Sequence, residues 1–157
     1  MSADTFYVIF KINEQSFCVS LSDVVRIVRI VRITPIPELS DIVEGVINVQ
    51  GEVIPVVNLR KRFGINERGL NLDNHIILIN ASTRVLGLLV DEVTDIVKSQ
   101  EKDLIQKKEI LPGTHKIQGV MKNEKDMILI QDLDALLSLD EEKKLETSLT
   151  KREKTKK

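Results

Sequence analysis

Residues 45–59 read GVINVQGEVIPVVNL, and residues 119–133 read GVMKNEKDMILIQDL. The two stretches overlay without a gap at an offset of 74. Gly45 meets Gly119, Val46 meets Val120, Ile47 meets Met121, Ile54 meets Ile128 and Leu59 meets Leu133. Each stretch is a pair of short apolar runs around a turn, the pattern of an antiparallel hairpin. An ungapped match of this length within one chain reads as an internal duplication.

Two further hairpins lie upstream of these. FYVIFKI and FCVSL flank the turn Asn13-Glu14-Gln15, and HIILIN and RVLGLLV flank Ala81-Ser82-Thr83. They overlay at an offset of 69, with Phe17 on Leu86, Val19 on Leu88, Val24 on Val93 and Ile27 on Ile96. The five-residue difference falls in a connector, where insertions cost little. Each half is thus an all-β unit the size of a small barrel, closed or nearly closed so that few strand edges stay exposed. The glycine- and asparagine-rich stretch GINERGLNLDN, residues 64–74, reads as the crossover. The expected organisation is one domain over 5–138. A first barrel spans about 5–63, a second about 74–131 and a C-terminal helix about 132–138, where leucines follow helical spacing. Residues 139–157 form a charged tail expected to stay disordered.

The octet RIVRIVRI at 26–33 invites a reading as a basic element for nucleic acid or lipid. The repeat assigns it to the scaffold instead. Ser22 or Asp23 is placed to cap a short helical turn with Val24, Ile27 and Val28 on one face. The β-branched Ile30, Val31 and Ile33 favour a strand after it.

Bulk composition excludes several function classes. Hydrophobic residues make up 42%, but aromatics are only 3% and tryptophan is absent, so the core is built from isoleucine, leucine and valine. The formal charge is −1; the last eight residues hold five basic groups and one acid, leaving 18 basic against 23 acidic residues in the body. Nucleic-acid binders carry basic surfaces and aromatic stacking platforms, so a small nucleic-acid-binding barrel is the disfavoured rival. His75 and His115 have no second ligand at metal spacing. Cys18, between Phe17 and Val19, reads as a buried thiol, and Phe6, Phe10 and Phe17 read as core. Glu38, Asp41 and Glu44 read as a solvated rim. No Gly-rich phosphate loop is followed by Gly-Lys-Ser/Thr. Nothing converges on catalysis. The start MSADTFYVIF lacks the basic run and cleavage site of a signal peptide, and the expectation is a cytoplasmic protein.

The stretch from ITPIP through GVINVQGEVIPVVNLRKRFG resembles the chemotaxis coupling protein family CheW. The family's turn G-V-x-N-L-R-G and run V-x-P-x-x-D-L-R correspond to Gly45, Val46, Asn48, Gly51, Pro55, Leu59 and Arg60. RVLGLLVDEVTDIV is similar to its R-x-x-G-x-x-V-D-x-V-x-x-V segment. The resemblance implies two tandem five-stranded barrels, SH3-like or OB-like, around apolar interiors, with no enzyme activity and no cofactor. It implies two partners, the cytoplasmic tip of a chemoreceptor and the regulatory domain of the histidine kinase CheA. Association with the membrane is then indirect, through receptors. A coupling protein of a non-flagellar chemosensory pathway is the alternative within the family.

Residue by residue, the resemblance places an apolar receptor-binding groove at Val24, Ile27, Leu86, Gly87, Val93 and Ile96. Kinase contacts fall at Gly45, Asn48, Gln50 and Gly51, and in the second connector at Ile105, Ile110 and Leu111. Three positions depart from the family pattern. Arg26 stands where glutamate is usual, Gln50 where arginine is usual, and Asn58 where aspartate is usual. The Gln50 carbonyl oxygen is chemically able to accept from Arg26, without the strength of an ion pair. These departures bear on the partner-facing surface, Arg26 above all.

Truncation after Ser138 is expected to leave folding and partner binding intact, because the last nineteen residues lack an apolar period. Thermal melting of the shortened chain checks this, and a large drop in melting temperature refutes it.

Overall fold

The structure is a computed structural model that describes residues 5–37, 42–65, 72–81, 84–99, 104–106, 117–123 and 126–131. The expected C-terminal helix and charged tail lie outside the described residues, as do His115, Glu38 and Asp41.

Eleven strands make up most of the described chain. They are β1 (Thr5–Ile12), β2 (Gln15–Ser20), β3 (Val24–Arg29), β4 (Val43–Val49), β5 (Glu52–Asn58), β6 (His75–Asn80), β7 (Val85–Val90), β8 (Glu92–Ser99), β9 (Leu104–Gln106), β10 (Ile117–Asn123) and β11 (Asp126–Gln131). One helical turn, α1 (Leu59–Arg62), follows β5. The four hairpins fall where the apolar runs put them. The octet at 26–33 does not. A three-residue 3₁₀ turn ends at Asp23, and strand begins at once with Val24, while residues 30–33 are irregular. Val24, Val25, Ile27 and Val28 are themselves β-branched, and so short a helix has no packed face to offset its nucleation cost.

The strands form two sheets, β3-β6-β7-β5-β4 and β8-β1-β2-β11-β10-β9. A bridge from Thr34 to Val46 returns the chain after β3 to β4 and closes the first sheet on itself. In the second, β8 and the three-residue β9 are consecutive in the chain and stand at opposite edges of the sheet order. The sheets do not follow the two halves of the sequence. One barrel is contiguous, residues 24–90; the other is made of 5–20 and 92–131. The expected division into 5–63 and 74–131 is therefore corrected: each half lends its first hairpin to the other's barrel. The link from β7 to β8 gives the reason. It is the single residue Asp91, too short for the two-residue reversal of a hairpin, so the chain runs on into the other sheet.

The duplication extends to irregularities. A bulge falls at Val25 in the β3–β6 pair and at its counterpart Thr94 in β8–β1. Another falls at Glu44 in β4–β5 and at Gln118 in β10–β11. Both cross-half joins, β5–β7 and β11–β2, are parallel.

Alternate side chains of the central strands serve different cores. Tyr7, Ile9, Cys18, Met121, Ile128 and Ile130 fill one barrel. Ile47, Ile54, Val56, Ile76, Leu78 and Leu89 fill the other. The opposite faces of β1, β2, β6 and β7 meet between the barrels in a third cluster. Val8, Phe10, Ile12, Phe17 and Val19 there pack with Val57, Ile77, Ile79, Leu86, Leu88 and Val90. Among the described residues this central cluster has fourteen buried members against six in each barrel. At roughly 1.5–3 kcal/mol for each large apolar side chain, it is the main reason the barrels stay together. Phe17 stacks on Phe10 and on Phe63, with ring centroids 5.8 and 4.9 Å apart. Phe6, expected in the core, is instead 46% exposed near the start of β1. Cys18 is buried as expected, and desolvation pushes its thiol from 9.0 up to about 12. Its contribution to stability is complete below about pH 9 and is lost as pH rises towards 12.

Gly45 has φ +150, and a Cβ there would stand 2.2 Å from the Thr34 carbonyl oxygen. That carbonyl accepts from Val46 N at 2.9 Å to close the barrel. Gly45→Ala is expected to destabilise the protein by at least about 2 kcal/mol, combining unfavourable backbone geometry with overpacking. Urea denaturation measures the loss.

Candidate functional site

The two sequence segments that carry the family resemblance meet in one buried polar cluster. Arg60, on α1, donates from Nε to Asp91 Oδ1 at 2.9 Å and from a terminal nitrogen to Oδ2. Both side chains are nearly out of solvent. The Asn13 amide, in the β1–β2 turn, donates to Asp91 Oδ2 at 2.7 Å. Asn74 Nδ2 donates to the Asp91 carbonyl at 3.3 Å, and Asp91 N donates to the Lys11 carbonyl at 3.1 Å. The hydrogen bond to Asp91 raises the Arg60 pKa above its already high ordinary value, against the lowering effect of burial, so the guanidinium stays charged. Asp91 thereby ties the β1–β2 hairpin of one barrel to the helix that follows β5 of the other.

Beside this pair, buried Asn58 caps α1. Its Oδ1 accepts from Arg60 N at 2.9 Å and from Lys61 N at 3.3 Å, satisfying donors that a helix start leaves without partners. Its Nδ2 donates to Glu44 Oε1 at 2.6 Å, and Glu44 pairs with Lys61 at 3.3 Å. Two expectations change here. Glu44 is not a solvated rim acid, and the Asn58 departure is internal, not partner-facing. An amide at position 58 is the donor that a neighbouring carboxylate at 44 requires.

The proposed groove residues divide by depth. Val24 and Ile27 on β3 and Val93 on β8 are half-buried and pack against the central cluster from both barrels. Ile96, opposite Val8, is 51% exposed. Leu86 lies inside the central cluster, below the surface. Gly87 does not belong to the groove. It is the counterpart of Cys18, and a Cβ on it would stand 2.8 Å from Ile76 Cγ2 inside a barrel. Strand parity puts the exposed Phe6 on the same face as Val8 and Ile96. An aromatic residue in an apolar run gave no sign that its end of the strand outruns the core.

Among the proposed kinase contacts, Asn48, Gln50 and Gly51 form the exposed tip of the β4–β5 hairpin. Gln50 and Gly51 both have positive φ, 50 and 87, as a tight primed turn requires, and Asn48 Oδ1 accepts from Gly51 N at 2.8 Å. Gly45 is buried and serves barrel closure, so its place among the contacts is corrected. Ile105 pairs with Val120 in β9–β10; Ile110 and Leu111 lie outside the described residues. Arg26 is exposed on strand, opposite Leu78, not on a helical turn. Among the described residues no hydrogen bond joins it to Gln50. His75 opens β6. No group of three metal-ligating side chains occurs, and no helix is long and apolar enough to cross a membrane, among the described residues.

Two barrels with exchanged hairpins, a shared apolar core and an Arg–Asp pair across their junction define a duplicated double-barrel domain. A family model described as a CheW-like domain matches residues 7–141. The chain belongs to the CheW family. The chemotaxis protein CheW of Rhizobium meliloti (strain 1021) is 31% identical over 134 residues, covering 84% of this chain and 86% of the relative. That of Thermotoga maritima is 30% identical over 128 residues, covering 82% and 84%. The crystal structure of scaffolding protein TtCheW from Thermoanaerobacter tengcongensis superposes with a TM-score of 0.82 at 32% identity, over 90% of this chain and 96% of that one.

Asn58→Asp, which restores the usual family residue, is expected to destabilise this protein at neutral pH by about 1–3 kcal/mol. The helix cap survives, but a carboxylate oxygen replaces the donor 2.6 Å from Glu44. Glu44→Gln in the same chain should recover most of the loss, and lowering the pH until one carboxyl is protonated should narrow it. Melting curves of the single and double variants across pH check both.

Proposed function

We propose that this protein is a non-enzymatic adaptor of bacterial chemotaxis that couples chemoreceptors to the histidine kinase CheA in the cytoplasm. The observation that carries the reading is the rim of the central core. There β3 of one barrel and β8 of the other pack Val24, Ile27 and Val93 against one apolar cluster, with the exposed Ile96 opposite Val8 of that cluster. A receptor helix laid on that rim would bury its own apolar stripe, an ordinary helix-in-groove mode. The kinase regulatory domain would contact the β4–β5 tip at Asn48, Gln50 and Gly51, and the second barrel near Ile105. A scaffold that binds both partners holds them at a fixed separation, and the rigid junction between the barrels supports that use.

Pull-down of the full chain with a receptor-tip fragment and with the kinase regulatory domain from the same cell tests the coupling. Ile96→Asp adds a carboxylate where solvent already reaches, so folding should persist. Receptor affinity should fall by about tenfold or more, the scale of losing an interface anchor, while kinase affinity stands. Unchanged receptor affinity would remove the rim from the receptor site.

A further inference from the structure

The apolar rim is built twice, once by each half of the chain, and the two copies agree beyond their apolar residues. On the central-cluster face of β3 the cross-strand pairs are Val24 with Ile79, Ile27 with Ile77 and Arg29 with His75. On the same face of β8 they are Val93 with Phe10, Ile96 with Val8 and Lys98 with Phe6. At the offset of 69 each pair falls on its counterpart, so both strands read apolar, apolar, cation along this face.

Exchanging the halves turns the order β3-β6-β7-β5-β4 into β8-β1-β2-β11-β10, which is the second sheet without β9. The relation is two-fold, and the rim lies across its axis because it takes one strand from each barrel. Arg29 and Lys98 therefore stand at opposite ends of the rim, and both are exposed. The residue opposite each is only partly covered: Phe6 is exposed and His75 half-buried, whereas Val8, Phe10, Ile77 and Ile79 are fully buried. The cations thus mark where the apolar floor ends. The exposed positions at the bulges do not agree in this way. Val25 and Arg26 of β3 are matched by Thr94 and Asp95 of β8, and Asp95 accepts locally from Ile96 N at 2.7 Å. A cation is kept at 29 and 98 in strands whose neighbouring exposed residues have changed type, and neither cation fills a core.

We propose that Arg29 and Lys98 are specificity-determining residues of the rim, each taking one carboxylate of the receptor helix. The helix recognised then carries an apolar stripe with an acidic residue beyond each end. The proposal rests on the coupling reading and names the chemistry that its receptor must present. From valine to cation each strand covers five residue steps, roughly 16 Å, the length of about three helical turns. Apolar contact alone leaves a helix free to slide along such a strip, whereas a charge pair at each end fixes its register.

Calorimetric titration of the full chain with a receptor-tip fragment at low and high salt tests it, with the kinase regulatory domain as a second titrant. The variants are Arg29→Gln, Lys98→Gln, the two combined, and Arg29→Glu combined with Lys98→Glu; the glutamine variants decide the matter if the last does not fold. Wild-type affinity for the receptor fragment should weaken with salt. Each single variant should lose about two- to fivefold, the scale of an exposed ion pair. The double glutamine variant should lose about the product of the two, since the sites are separate, and the double reversal about tenfold or more. The salt dependence should flatten in the same order, and kinase affinity should stand. Wild-type receptor affinity and salt dependence in every folded variant would overturn the proposal and leave the coupling reading in place. A loss from only one of the two single variants would overturn the two-ended arrangement, and a loss of kinase affinity in place of receptor affinity would overturn the assignment to the receptor. A wild-type chain that binds no receptor fragment would overturn the coupling reading as well.

Discussion

A single residue, Asp91, separates β7 of one barrel from β8 of the other, and its carboxylate holds the junction in place. Burying two charges is costly. Their mutual attraction repays the lost hydration only when the geometry is good and the remaining lone pairs are used. Here the guanidinium supplies two donors and the Asn13 amide a third, so the carboxylate is well satisfied. The pair connects a turn near the N-terminus, a helix after the fifth strand and the crossover between barrels. The stacking of Phe63 on Phe17 lies beside it in the chain, one residue past α1. Polar pairing and apolar stacking thus hold the same helix against the same hairpin, and the rim formed by β3 and β8 inherits its geometry from that junction.

The repeat makes the junction asymmetric. The strands, their bulges and the parallel joins recur in both halves, but the sequence counterparts of Arg60 and Asp91 are Asp134 and Ser22, which cannot form an ion pair. The duplicated framework has therefore been specialised at one of its two equivalent corners. The outer strands diverge likewise, one carrying arginine and valine where the other carries aspartate and threonine. Symmetry of the backbone coexists with different chemistry on its two faces.

Much of this was legible in the chain. The gapless overlay of 45–59 on 119–133 located both second hairpins, and the turn residues located the first two. Periodicity shows that a side chain is buried but not against what, so the lending of hairpins between barrels was hidden. Runs such as VIFKI and IILI are apolar on both faces, and only the structure assigns alternate residues to a barrel and to the central cluster. Gly45 looked like a turn glycine of a binding loop because nothing local reveals that Thr34 closes on it. Leu86 and Gly87 share the apolar character of Val24 and Val93, and depth is not written in hydrophobicity. The polar cluster was split among motifs tens of residues apart: Arg60 and Asp91 each stood in a family segment, but their pairing needed three dimensions. Glu44 and Asn58 explain each other only once they are side by side.

The discontinuous barrel imposes an order of birth. Every strand of the contiguous barrel has been made once residue 90 is synthesised, so that unit can close while the chain is still growing. The hairpin β1–β2, made before it, must wait for β8 and then for β11, the last of the described strands. Until then its central-cluster face can rest on the finished barrel through Phe10, Phe17, Ile77 and Leu88, while its other face, Tyr7, Ile9 and Cys18, stays without a partner. Such long-range pairing is slow and exposes strand edges in the meantime. The parallel pairing of β2 with β11, between strands far apart in the chain, is thus made last, and a break in either strand opens the same barrel.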